Sequence, residues 1–209
     1  MKKSLQKYVL IACEYSQVEC TAFRQVGAIA FSSDLLPAKS HPEWHVVGDC
    51  RQLVNTPVKF KTQDGKRHTV PHWDLIIAHP PCTYLSRAAA AYLYANCELQ
   101  PERYRLGLLA KEFFEECLAF PAPHVCVENP TPFKIFNLPK PDDIVQPYEH
   151  GHKWRKRTLL WLKNLPPLLP TIFVDKPRSF TYVKKGGKAR SRSFEGIARA
   201  MASQWFPLL

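Results

Sequence analysis

Trp73-Asp74-Leu75-Ile76-Ile77-Ala78-His79-Pro80-Pro81-Cys82 begins as an apolar run and ends on a stiffened polar corner. Apolar residues without polar alternation fit a strand buried on both faces, as in a parallel sheet. The two prolines stop it, since proline offers no N–H to a ladder. Upstream, Tyr8-Val9-Leu10-Ile11-Ala12 reads the same way, followed by a helix-compatible stretch from about 16 to 25. Gly27-Ala28-Ile29-Ala30-Phe31 predicts a second strand ending near Asp34, and Trp44-His45-Val46-Val47 a third, closed by Gly48-Asp49. Downstream, Pro101 suits the first turn of a long helix to about Ala119, with Tyr104, Leu108, Phe114, Cys117 and Leu118 on its buried face. His124-Val125-Cys126-Val127 is the next strand, running into Glu128-Asn129-Pro130. After a Pro-rich connection come a strand at Thr158-Leu159-Leu160-Trp161-Leu162 and a last helix, capped by Ser193 and reaching Gln204.

Alternating β and α units predict a doubly wound, mainly parallel α/β sheet of Rossmann-like type. Ligands of such sheets bind at the carboxyl ends of the strands. That rule places Ser16, Asp34, Asp49, Cys82 and Glu128 along one rim. The alternating segments around Asp64-Gly65 predict a hairpin over 58–70, inserted between core strands.

At 209 residues and 45% hydrophobic content the chain suits one sizeable domain and excludes wholesale disorder. No stretch approaches the roughly 20 apolar residues of a membrane span. Glu14 interrupts the only apolar run near the start, which argues against a signal peptide. Seven cysteines without a CxxC pair point to thiols in a reducing cytoplasm rather than to a disulfide framework or zinc ribbon. Cys13, Cys20, Cys97, Cys117 and Cys126 read first as small buried hydrophobes.

Charge is segregated. Residues 1–149 hold 16 basic and 16 acidic groups, whereas 150–209 hold 13 basic groups against Asp175 and Glu195 alone, accounting for the net +11. Such a basic third suits either a surface that meets a polyanion or a solvated face.

Three places can carry chemistry. Cys82 follows a strand end and a Pro-Pro corner, which fixes where its side chain points. With an ordinary pKa of about 8.5, its thiol needs nearby positive charge or proton transfer to act as a nucleophile. Glu128, at the end of an interior strand, is costly to desolvate without a partner, and with a raised pKa it can protonate a ring nitrogen. Water-exposed carboxylate is the alternative reading. Arg155 and Arg157 flank Lys156 and share one side of an extended chain, able to clamp a phosphate or ring, or to form only a solvated edge.

Taken in order, Pro-Cys at one strand end, Glu-Asn at the next and Arg-x-Arg before a further strand resemble the cytosine-5 DNA methyltransferases. CEYS, SDLLP, WDLIIAHPPCTYLS, VENP, GHKWRKRTLLWL and GIARAMASQW look like the short phage-type members, over nearly the whole chain from about Val9 to Trp205. The resemblance implies a class I S-adenosylmethionine-dependent methyltransferase fold and a base flipped from DNA, double- or single-stranded, in a (host) cytoplasm. It implies that Cys82 adds to carbon 6 of cytosine, that Glu128 engages ring nitrogen 3 and that Asn129 holds the loop. Arg155 and Arg157 would orient the base and support the thiolate. S-Adenosylmethionine would be held by Cys13, Glu14, Tyr15, Ser16, Asp34, Leu35, Asp49 and Pro80. Ser86, Arg87, Lys153, Lys184, Lys185, Lys188, Arg190 and Arg192 would contact DNA.

Two features depart from that pattern. The loop Cys13-Glu14-Tyr15-Ser16-Gln17-Val18 has no glycine, and Lys153 stands where Gln usually begins the Arg-x-Arg motif. Only a short basic segment, 163–192, occupies the place of a target-recognition domain, implying low or short-context specificity. The same chemistry on a free pyrimidine nucleotide and an inactive DNA-binding relative remain open. An amino-group methyltransferase is disfavoured because Cys82 cannot stack on a base, and a His68/His72 metal site because Pro71 spoils the spacing.

Overall fold

A computed structural model describes residues 6–87, 92–180 and 193–209. Along the chain run β1 (Tyr8–Ala12), α1 (Val18–Gln25), β2 (Ile29–Asp34), β3 (His45–Val47), β4 (Val58–Lys61), β5 (Arg67–Val70) and β6 (Leu75–Ala78). Then come β7 (Tyr94–Ala95), β8 (Glu98–Leu99), α2 (Pro101–Leu118), β9 (His124–Pro130), β10 (Asp143–Val145), β11 (Trp154–Arg155), β12 (Thr158–Lys163), β13 (Arg178–Ser179) and a last helix, here α3 (Glu195–Trp205).

Seven strands form the central sheet in the order β10-β12-β9-β6-β1-β2-β3. β3, β2, β1, β6 and β9 are mutually parallel, while β12 runs antiparallel between β9 and β10. This is the doubly wound, mainly parallel α/β sheet expected from the sequence. Successive residues of the buried strands feed opposite layers, as a period of two requires. Leu10, Ile76, Val125 and Val127 pack with α2 and the β4–β5 hairpin, whereas Val9, Ile11, Leu75 and Ile77 pack with α1 and α3. Phe114 of α2 meets Trp161 of β12 edge to face, 4.8 Å between centroids. Burying each large side chain contributes about 1.5–3 kcal/mol.

The hairpin over 58–70 is present, and it belongs to the core: Val58 and Val70 are buried, and Phe60 packs against Phe31 and Trp73. Gly65 supplies the positive φ of its turn, where Thr62 donates to Asp64. In α2, Gly107 leaves room for the Phe136 ring, which a β-carbon there would strike.

Several expectations need correction. Leu108 is 44% exposed, so the buried stripe of α2 passes through Gly107, Phe114 and Cys117 instead. Cys97 is exposed, on the tight turn joining β7 to β8. Ser193 does not cap α3: the helix begins after Phe194, and the Gly196 N–H donates to His152 Nε2 at 2.9 Å. β10, unforeseen in the Pro-rich connection, forms one edge of the sheet.

Candidate active site

The carboxyl ends of β1, β2, β3, β6 and β9 make one rim, and the Pro80-Pro81 corner divides it. On one side lies a cavity of about 490 Å³, lined by Cys13, Ser33, Asp34, Leu35, Gly48, Asp49, Cys50, Arg51, Pro81 and, from α2, Leu109, Glu112, Phe113 and Glu116. That volume is in the range of small-molecule sites, about 300–1,000 Å³. Of the expected cofactor residues, Cys13, Asp34, Leu35 and Asp49 line it; Glu14, Tyr15, Ser16 and Pro80 do not. Asp34 accepts the Leu36 N–H at 2.8 Å, which turns the chain over the cavity. Asp49 pairs with Arg51 at 2.7 Å, and this hydrogen bond holds its carboxyl below the usual range. Cys13 and Cys50 place their sulfurs 4.0 Å apart at the cavity wall. The contact with Cys50 and burial raise the Cys13 thiol, keeping it protonated.

The loop after β1 turns without glycine because Cys13 (φ 61°) and Gln17 (φ 59°) themselves adopt the left-handed conformation. Gln17 is held there by two bonds with the His41 backbone, each 2.9 Å. Glu14 points inward, accepting the Glu19 N–H at 2.9 Å and the Cys20 N–H at 3.3 Å at the start of α1. Its burial, with the neighbouring charge and hydrogen bond of Glu19, pushes its carboxyl well above the ordinary range. Glu14 therefore caps a helix rather than facing the cavity.

On the other side of the corner sits Cys82, half-buried, a free thiol. Burial raises its pKa, Glu128 raises it further, and Lys156 lowers it. Glu128 receives a hydrogen bond from His79 Nδ1 at 3.1 Å. Burial would raise Glu128, but that bond and the charges of His79 and Lys156 hold it below the usual range. Glu128 is thus ionised, contrary to the raised pKa the sequence reading required of a donor. Burial disfavours a charged His79, yet Glu19 and Glu128 outweigh it and its pKa is raised. Asn129, fully buried, donates to the Pro80 carbonyl at 2.9 Å and fixes the corner.

Arg155 and Arg157 do share a side, but it is the exposed one; Lys156 between them is the residue directed inward. Its ammonium lies 5.9 Å from the Phe180 ring and 5.7 Å from Phe194. Ser86 is buried, whereas Arg87 and Lys153 are exposed. Lys184, Lys185, Lys188, Arg190 and Arg192 lie outside the described residues. Glu19 and Lys156 escaped the sequence reading, and nothing in it paired His79 with Glu128. Alternation already implied that a residue between Arg155 and Arg157 faces the other way, but not which way was inward.

Among the described residues no helix is long and apolar enough to cross a membrane, and no cluster of three or more His, Cys, Asp or Glu could hold a metal ion. No protein-family profile and no curated protein matches the chain. Among the solved structures, a prophage-encoded E. coli protein provisionally described as a DNA modification methyltransferase matches with a TM-score of 0.43 and 13% identity. The match covers 75% of this chain and 46% of that one, so the chain spans about half of its length.

Proposed function

We propose that the protein transfers a methyl group from S-adenosylmethionine to carbon 5 of cytosine in DNA through a covalent Cys82 adduct. What chiefly supports this reading is the grouping of Cys82, Glu128 and Lys156 at one corner, across the Pro-Pro turn from a cavity bearing Asp34 and Asp49.

The cavity residues fit that cofactor. Asp34, at the end of β2, would take ribose hydroxyls and Asp49, after Gly48, the adenine amine, while Leu35 and Phe113 offer apolar walls. The left-handed Cys13 and Gln17 preserve a tight turn at the amino-acid end. When bound, the cofactor supplies an electrophilic methyl on a sulfonium centre. Lys156 favours the Cys82 thiolate, the form that attacks carbon 6. Glu128 holds ring nitrogen 3, where electron density arrives as the carbon–sulfur bond forms. Asn129 keeps Pro80, and through it Cys82, in place. Arg155 and Arg157, exposed at the entrance, would contact phosphate. With only the short segment 163–192 between the Arg-x-Arg strand and the last helix, the target would be a short context.

The test is methyl transfer from labelled cofactor to DNA and, in parallel, to deoxycytidine monophosphate. The wild type is expected to yield 5-methylcytosine in DNA, and Cys82→Ala none. Product on the nucleotide alone would replace the DNA reading with the nucleotide one, and product on an exocyclic amine would overturn both.

A further inference from the structure

Behind the Cys82 corner lies a row of ionisable side chains running inward. The Glu14 carboxyl accepts the Glu19 N–H at 2.9 Å, and the two residues are 4% and 1% exposed. Glu19 Oε1 is 3.5 Å from His79 Nε2, and His79 Nδ1 is 3.1 Å from Glu128 Oε2. Two buried polar atoms in this row, Glu19 Oε2 and His79 Nε2, have no hydrogen-bond partner. Burying three carboxylates in one row is costly unless protons and a cation are shared among them. Only the last member reaches the corner where a substrate would sit.

We infer that His79, wedged between Glu19 and Glu128, is a positioning residue that stores the proton Glu128 delivers to the pyrimidine. This rests on the proposed function and assigns the source of a proton that an ionised Glu128 lacks. As the Cys82 thiolate, its proton already released to solvent, bonds to carbon 6, the ring's electron pair moves to nitrogen 3. His79 Nδ1 gives its proton to the Glu128 carboxylate as Glu128 passes one to nitrogen 3, leaving a neutral imidazole and a carboxylate. When carbon 5 takes the methyl group, nitrogen 3 gives the proton back along the same path, and His79 ends as it began. Loss of the carbon-5 proton, which breaks the carbon–sulfur bond, is a separate event.

The surroundings keep this store charged. From α1, Glu19 faces His79; from β9, Glu128 does; from the segment before β12, Lys156 opposes them. Burial raises the thiols of Cys126 of β9 and of Cys82, with Lys156 lowering Cys82, and burial raises the Glu14 carboxyl well above the ordinary range. The one cation held between two carboxylates is thus the imidazolium. Its Nδ1 is a donor to Glu128 in that state.

The experiment uses the full chain. Nitrogen-15 NMR of histidine-labelled protein, followed from pH 5 to 9 without cofactor, should show one imidazole still protonated on both nitrogens above pH 6.5 and missing from His79→Gln. In methyl transfer to DNA, His79→Gln should lose about 100-fold or more at pH 7. The wild-type fall in rate toward alkaline pH, ascribed to His79, should vanish from the variant's profile. A His79 that is neutral at pH 7, or a variant that keeps the wild-type pH profile, would overturn the inference. The NMR result does not depend on turnover. If the wild type methylates no pyrimidine at all, the function beneath the inference has failed, and that outcome is distinct from a neutral His79.

Discussion

Asp34 and Asp49 end β2 and β3 within reach of water, whereas Glu14, Glu19 and Glu128 gather at the ends of β1 and β9 largely away from it. The same sheet rim therefore presents acids in two dielectric settings, divided by Pro80 and Pro81. On the wet side, Asp49, with its side chain 34% accessible, meets an exposed arginine. There Asp49 stays ionised, and in the proposed function it accepts a hydrogen bond from the cofactor. On the dry side, burial penalises every charge, so the row must share protons and enclose His79. One side can hold a ligand's polar edge, and the other can move a proton.

Glu19→Ala strikes the dry side hardest. It leaves the buried imidazolium with one carboxylate partner and should destabilise the protein by about 3–5 kcal/mol, the usual effect of breaking a buried pair. Urea denaturation at pH 7 measures it; a change below about 1 kcal/mol would mean that His79 is not charged by Glu19.

The pH dependence of stability sharpens the contrast. Glu128 is depressed in the fold, so its contribution is present above the ordinary carboxylate value of 4.5 and lost as pH falls through its lowered value. His79 is raised, so its contribution is complete below 6.5 and lost as pH rises through the folded value. His45, His150 and His152 are all lowered by burial, and their contribution is lost on the acid side, as pH drops below 6.5. Among these histidines, a stability loss above pH 6.5 therefore belongs to His79. Denaturation curves from pH 6 to 9 should slope downward for the wild type and less so for His79→Gln. Parallel curves would remove the charged imidazole from the account.

Asp49→Asn should barely touch stability, by less than about 1 kcal/mol, because its pair with Arg51 is exposed. The side-chain oxygen can still cap the Arg51 N–H, seen at 3.0 Å. Affinity for S-adenosylmethionine should fall about tenfold, the loss of roughly one hydrogen bond to the adenine amine. Calorimetry separates the two effects, and unchanged affinity would take Asp49 out of the cofactor site.

Much of this was legible in the sequence where local signals are strong. Continuous apolar runs ended by Pro-Pro or Glu-Asn-Pro marked β6 and β9, and with them the positions of Cys82, Glu128 and Asn129. β10 escaped because Asp143, Ile144 and Val145 are too few to show a period, and prolines surround them. The glycine-free loop concealed a turn that Gln17 secures through His41, 24 residues away. Glu128 meets His79 across 49 residues, and nothing nearby in sequence distinguishes His79 from a solvated histidine. Burial set by the folded sheet, rather than residue type, decides that Lys156 faces inward while Arg155 and Arg157 meet water.

The central claim is that the Cys82 sulfur bonds to a pyrimidine ring. DNA containing 5-fluorocytosine blocks the final loss of the group at carbon 5, so intact-protein mass spectrometry with S-adenosylmethionine present reads the bond directly. The account predicts a covalent protein–DNA species whose modified peptide contains Cys82, absent from Cys82→Ala. Enzyme that methylates DNA yet gives no adduct, or an adduct on another cysteine, would contradict it.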